Sequence, residues 1–246
     1  VVGCKYSDIV IKAVKILSFL KYLNIRNRTI RVHYANTSFK KKFPNYAILG
    51  PHSVNSGVTT HFLDEAVIII YREEESDKVL LHELVHYLRL DFAMSGSITY
   101  TMDQTILNET NVTSDERYIN LFEAYTDSIA IIFNSIFNSI LTATNVSDYF
   151  YTEVLYMERT AVQILDHFNI NSIRELYDGS SHNIIEQSSS VLSYYILKLG
   201  LLYDTDRLLT QFFPLFQYDW TRKKVKNLYD FIKSNIFKID CTRKSN

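Results

Sequence analysis

Two histidines and a glutamate stand together in His82-Glu83-Leu84-Val85-His86, inside a stretch whose apolar spacing predicts a helix over residues 76–91. Residues four apart share one helical face about a turn apart, so both imidazoles can reach a single metal ion. Zinc accepts neutral imidazole nitrogen, and a catalytic zinc keeps three protein ligands and an open position for water. Glu83, one step round the helix, is badly placed to chelate alongside both histidines but can reach a water polarised by the ion. There it can act as general base and then hand the proton to a leaving amine.

The third ligand has to come from further along. Directly downstream, Tyr87-Leu88-Arg89-Leu90-Asp91-Phe92 contains no glycine turn, and Phe92 falls where a nearby third histidine would sit. Asp91 could serve only if the helix broke early. A better-spaced candidate lies in Asn120-Leu121-Phe122-Glu123-Ala124-Tyr125-Thr126-Asp127. Glu123 and Asp127 are four apart and share a helical face. Glu123 suits a ligand, while Asp127 suits accepting the other ring N–H of a ligand histidine and so fixing its tautomer. The small Ala124 would let two helices approach closely.

Together the two motifs resemble the gluzincin metallopeptidases, the thermolysin-like branch of the zincins, which pair a His-Glu-x-x-His helix with a downstream helix bearing Glu-x-x-x-Asp. The resemblance covers roughly residues 56–132, under a third of the chain. It implies that His82, His86 and Glu123 hold one zinc ion per chain, that Glu83 is the catalytic base, and that Asp127 orients a ligand histidine. It implies a zincin-like fold, with a small twisted mixed sheet over the active-site helix and an antiparallel edge strand lining the cleft. A peptide substrate adds to such an edge by main-chain hydrogen bonds. Ser56, Gly57 and Val58 are the expected substrate-facing residues, with an ordinary hairpin as the alternative. A donor for the oxyanion of the tetrahedral intermediate is also implied; Tyr194 and Tyr195 are the chosen pair, with Tyr100, Tyr118 and His182 as rivals. The implied activity is hydrolysis of internal peptide bonds. An aminopeptidase is the rival within catalysis, but no Gly-x-Met-x-Asn strand for anchoring a free amine is recognisable. The rival outside catalysis is a zincin-type binding or structural protein, which would have no physical need of Glu83.

Several elements must position these residues. Residues 7–23 read as a helix with Ser7 at its start, and residues 29–35, 46–50, 56–62 and 66–72 read as strands. Ser76 is the expected cap of the histidine helix. A polar segment, 95–111, should follow, and Ser114 with Asp115 and Glu116 should open a long helix to about residue 141. Further helices are expected at 147–168, 172–177, 188–202, 205–213 and 220–237. One helix, a small sheet and a helical remainder make the fold class α+β. No linker divides the chain, so 1–246 reads as one domain. Residues 1–95 would carry the sheet and the histidine helix, and residues 112–246 would carry the third ligand.

Composition narrows the function classes. With 47% apolar and 22% charged residues, the 246-residue chain can bury a large core and is neither disordered nor a disulfide-held miniprotein. Its 27 acids against 26 bases leave a net charge of −1, too little to hold it on nucleic acid or an anionic membrane. No run reaches the 18 or so apolar residues of a membrane span. The partner that the resemblance implies is a polypeptide substrate. Cys4 and Cys241 could pair, but spacing alone does not establish a bridge. Sequons at Asn27, Asn36, Asn108, Asn111 and Asn145 hint weakly at a secretory route.

Overall fold

Helix α2 (Ser76–Tyr87) is central because it is covered on nearly every side: Lys78, Val79, Leu80, Leu81, His82, Glu83, Leu84 and Val85 are all buried. Strands β3 (Gly57–Phe62) and β4 (Glu65–Arg72) cover one side of it and helix α4 (Leu121–Thr142) another. These relations come from a computed structural model that describes residues 6–26, 29–38, 40–41, 48–51, 54–62, 65–73, 75–114, 119–180 and 182–239. Cys4, Cys241, Asp115, Glu116 and Tyr118 lie outside the described residues.

Strand β4 is the middle of a mixed three-stranded sheet. Its β-branched run suits burial on both faces, and the side chains of Ile68 and Ile70 are fully enclosed. It pairs parallel with β1 (Arg31–Thr37), Arg31 opposite Val67, and antiparallel with β3, Gly57 opposite Ile70. The order β1-β4-β3 leaves β3 on the edge. The expected strand at residues 46–50 does not join this sheet. Instead β2 (Ile48–Leu49) pairs parallel with β6 (Ile185–Gln187), which pairs parallel with β5 (Val112–Ser114). The fold is α+β, as expected.

Several expectations about these elements fail, each for a local reason. Ser76 does not cap α2; the cap is Glu75, left-handed at φ 58°, whose carboxylate bonds Lys41 at 2.5 Å and Lys78 at 2.9 Å. Helix α2 stops at Tyr87 rather than near Asp91. Arg89 takes φ 55°, Leu90 N–H bonds the Val85 carbonyl at 3.0 Å, and Arg89 N–H bonds that of His86 at 2.9 Å. That is a Schellman ending with arginine where glycine is usual. The segment 95–111 is mostly helix α3 (Gly96–Glu109), which buries Thr99, Met102, Asp103 and Ile106. Their spacing is a helical stripe, hidden because two of its members are polar.

Helix α3 also explains where α4 begins. Ser114 belongs to β5, and α4 starts at Leu121 after the left-handed Asn120, whose side chain does not cap it. The Asp103 carboxylate accepts from the Leu121 N–H at 3.3 Å and so caps α4 from the neighbouring helix. Beyond α4 lie α5 (Val146–His167), α6 (Glu175–Asp178), a π-helical turn (Ser193–Leu197) running into α7 (Lys198–Leu202), then α8 (Thr205–Phe212) and α9 (Arg222–Ile236). Helices α7 and α9 meet so closely that a Cβ on Gly200 would lie 2.8 Å from the Ile232 carbonyl oxygen. Among the described residues, no helix is long and apolar enough to cross a membrane.

Burial pushes the Asp103 carboxyl up to about 6 from 3.8, against the opposing effect of the Leu121 and Asn120 N–H groups. A folded value above the unfolded one means that stability present below pH ~4 is lost as pH rises through about 6. Asp103→Asn should remove this component. Compared by urea unfolding, the variant should gain on the parent by about 1–3 kcal/mol between pH 4 and pH 7.5. An unchanged difference between the two proteins would contradict the assignment.

Candidate functional site

His82 and His86 face one another from successive turns of α2, their rings 4.7 Å apart between centroids and inclined at 80°. The two Nε2 atoms are 3.0 Å apart. Glu123, in the first turn of α4, brings its Oε2 to 3.1 Å from His82 Nε2 and 3.5 Å from His86 Nε2. These are the three side chains, among the described residues, that could together hold a metal ion. Donors 2.0–2.1 Å from a tetrahedral ion stand about 3.3 Å from one another, so the observed separations match a metal-ligand cage.

The other ring nitrogens fix the tautomers. His82 Nδ1 is 3.3 Å from Asp127 Oδ1, and His86 Nδ1 bonds Asp91 Oδ2. With a cation bound and the rings neutral, each Nδ1–H would donate to a carboxylate and each Nε2 would present a lone pair inward. Asp91 is thus not the third ligand that an early helix break would have allowed. The break occurs, but it turns Asp91 back under His86, where Thr126 Oγ1 at 3.1 Å and Ala93 N–H at 3.0 Å hold it. Asp127 is held on its other oxygen by Lys198 Nζ.

This arrangement attracts positive charge. Burial disfavours a charged His82 ring, but the bonds to Asp127 and Glu123 raise its pKa to about 9. Glu123 is driven far below the usual carboxylate range; burial acts upward and is overcome by His86 and His82. A divalent cation would replace the protons that the imidazoles otherwise hold.

Glu83 lies beside the triad, under the edge strand. Thr59 Oγ1 is 2.8 Å from Glu83 Oε2 and 2.9 Å from the Glu83 carbonyl, so one hydroxyl pins both. Burial raises the Glu83 pKa, against the lowering effects of His82, His86 and Thr59. The contact requires glycine at position 57, where a Cβ would lie 2.8 Å from Val79 Cγ1 and 2.9 Å from Glu83 Oε1. Tyr71 N–H bonds the Ser56 carbonyl at 3.1 Å. By the alternation of antiparallel pairing, Ser56 and Val58 turn their main-chain groups to β4, while Gly57 and Thr59 turn theirs to the open edge. Ser56, Gly57 and Val58 all line a cavity of about 380 Å³ that also contains the triad. The edge expected from sequence is therefore present, but its outward register runs through Gly57 and Thr59.

Of the tyrosine pair, Tyr194 enters the cluster, donating to Glu123 Oε2 at 2.8 Å. Tyr195 also lines the cavity, with the Lys198 ammonium 5.7 Å from its ring centre. Burial and the Glu123 charge raise the Tyr194 pKa, so the phenol keeps its proton as a donor. Tyr100 and His182 are exposed and do not line the cavity. Thr59 and Lys198 were not legible as site residues. Thr59 shares the Gly57 face of a strand, and Lys198 is four beyond Tyr194; both were spacings available only once the partner was known.

Two measurements follow. Equilibrium dialysis against a divalent transition metal should give one ion per chain for the parent protein and none retained by His86→Ala. Gly57→Ala should displace Glu83 and Val79, lowering stability by about 1–3 kcal/mol in denaturant titrations; a variant as stable as the parent would disprove the close approach.

No protein-family model and no solved structure matches the chain. It is similar to the uncharacterized protein R210 of Acanthamoeba polyphaga mimivirus, 28% identical over 208 residues that cover 72% of this chain and 49% of that protein. The chain thus spans about half the length of the curated relative it matches.

Proposed function

We propose that the protein is a zinc-dependent metalloendopeptidase of gluzincin type with a zincin-like fold. The observation that carries this reading is the convergence of His82 Nε2, His86 Nε2 and Glu123 Oε2 within 3.0–3.5 Å. Two imidazoles and one carboxylate, with space beside them, are the donor set of a catalytic zinc site rather than of a closed structural one. Zinc held there would polarise a scissile carbonyl and acidify a water.

The chain's own residues supply the rest. Burial makes Glu83 a stronger base than an exposed carboxylate, and the Thr59 hydroxyl restrains its carboxylate. Glu83 takes the proton of the attacking water and delivers it to the leaving amine. Tyr194, whose hydroxyl donates to Glu123 Oε2, turns that proton to the developing oxyanion. The outward main chain of Gly57 and Thr59 extends the sheet onto a peptide substrate, and that contact is indifferent to whether the chain end is near. This favours internal bonds.

Glu83→Gln separates chemistry from metal binding. The variant should retain one zinc per chain and lose at least ~100-fold in cleavage of a peptide library. Full activity in that variant would refute the assigned base. Cleavage of N-terminally blocked peptides supports an endopeptidase, whereas a strict need for a free amine supports an aminopeptidase.

A further inference from the structure

The pair Glu123 and Asp127, four apart on α4, is met by a second pair four apart, Tyr194 and Lys198, from the π-turn and the first residue of α7. Tyr194 donates to Glu123 Oε2, and Lys198 Nζ donates to Asp127 Oδ2. The remaining Asp127 oxygen faces His82 Nδ1 at 3.3 Å. Lys198, Asp127 and His82 are each buried. They form an unbroken line from an ammonium through a carboxylate to a ring whose far nitrogen belongs to the triad.

We infer that Lys198 is a positioning residue of the metal centre, acting through Asp127 to fix the orientation of the His82 ring. The inference rests on reading His82, His86 and Glu123 as metal ligands. A buried lysine on α7, between Leu197 and Leu199, has no packing purpose that a methionine would not serve. Replacing a buried ion pair by apolar groups is often neutral or stabilising, so retaining one asks for a role. A carboxylate held at one oxygen can swing; held at both, its plane is set, and so is the direction in which His82 Nε2 points. Lys198 directly follows the π-turn, and such turns are frequent at functional sites.

The test is a double-substitution cycle on the full chain, read as zinc affinity by competition with a chromophoric chelator. Lys198→Met should weaken zinc binding by about 10–100-fold. In the Asp127→Asn background the same change should cost less than about twofold, because its route to His82 is already cut. Equal losses in both backgrounds, or none in either, would overturn the inference. So would unchanged zinc affinity with a raised KM, which would make Lys198 a substrate contact. Should Lys198→Met not fold, Asp127→Asn is compared with the double variant, which removes both charges together. Equal affinities then support the inference, and a further tenfold loss overturns it. A parent protein that binds no zinc would instead remove the metal-centre reading itself.

Discussion

Two imidazole nitrogens and a carboxylate oxygen are held within 3.0–3.5 Å of one another in a buried cleft. Such a convergence is repulsive unless positive charge sits between the donors, and low dielectric sharpens the demand. Everything around the cluster enforces it. Asp127 and Asp91 occupy the outer nitrogens of the two rings, so neither ring can relieve the repulsion by turning its N–H inward without losing a buried partner. Lys198 and Thr126 hold those two carboxylates in turn.

The same contacts tie the architecture together. Helices α2 and α4 pack against one another, and Leu84, Val85, Ala124 and Ile131 on them are fully buried. Apolar packing by itself tolerates small slides of one helix along another. The polar bridges from His82 and His86 to α4 fix the register at which the helices cross, since hydrogen bonds are directional where dispersion is not. The early ending of α2 belongs to this scheme: had the helix continued, Asp91 would point away from His86. On the opposite side Gly57 lets the edge strand settle onto Glu83, so the Glu83 carboxylate and the strand are positioned by one contact. That edge and the triad line the same cavity.

Much of this was legible in the residues. The four-residue spacings of His82 with His86 and of Glu123 with Asp127 declared shared faces. The β-branched run at residues 67–71 declared a strand, and the helices at 146–167, 205–212 and 222–236 appeared within a residue or two of their expected limits. Other parts were hidden for identifiable reasons. The stripe of α3 includes Thr99 and Asp103, polar residues buried by partners elsewhere. Strands β2, β5 and β6 are two or three residues long and pair in parallel across distant segments, which leaves no alternation to detect. The early end of α2, and with it the placement of Asp91 under His86, was hidden because Arg89 rather than glycine takes the left-handed position.

The amino-acid order determined which side chains stand on a common face, because helical and strand periods are properties of the local backbone. It therefore determined the chemical types brought to the site: two imidazoles, a base beside them and a carboxylate pair. Only the tertiary structure decided which face met which, and at what height. Tyr194 reaches Glu123, and Lys198 reaches Asp127, across 71 residues of chain in each case. Contacts of that span are set by the packing of whole elements around α2, and no local pattern in the sequence encodes them.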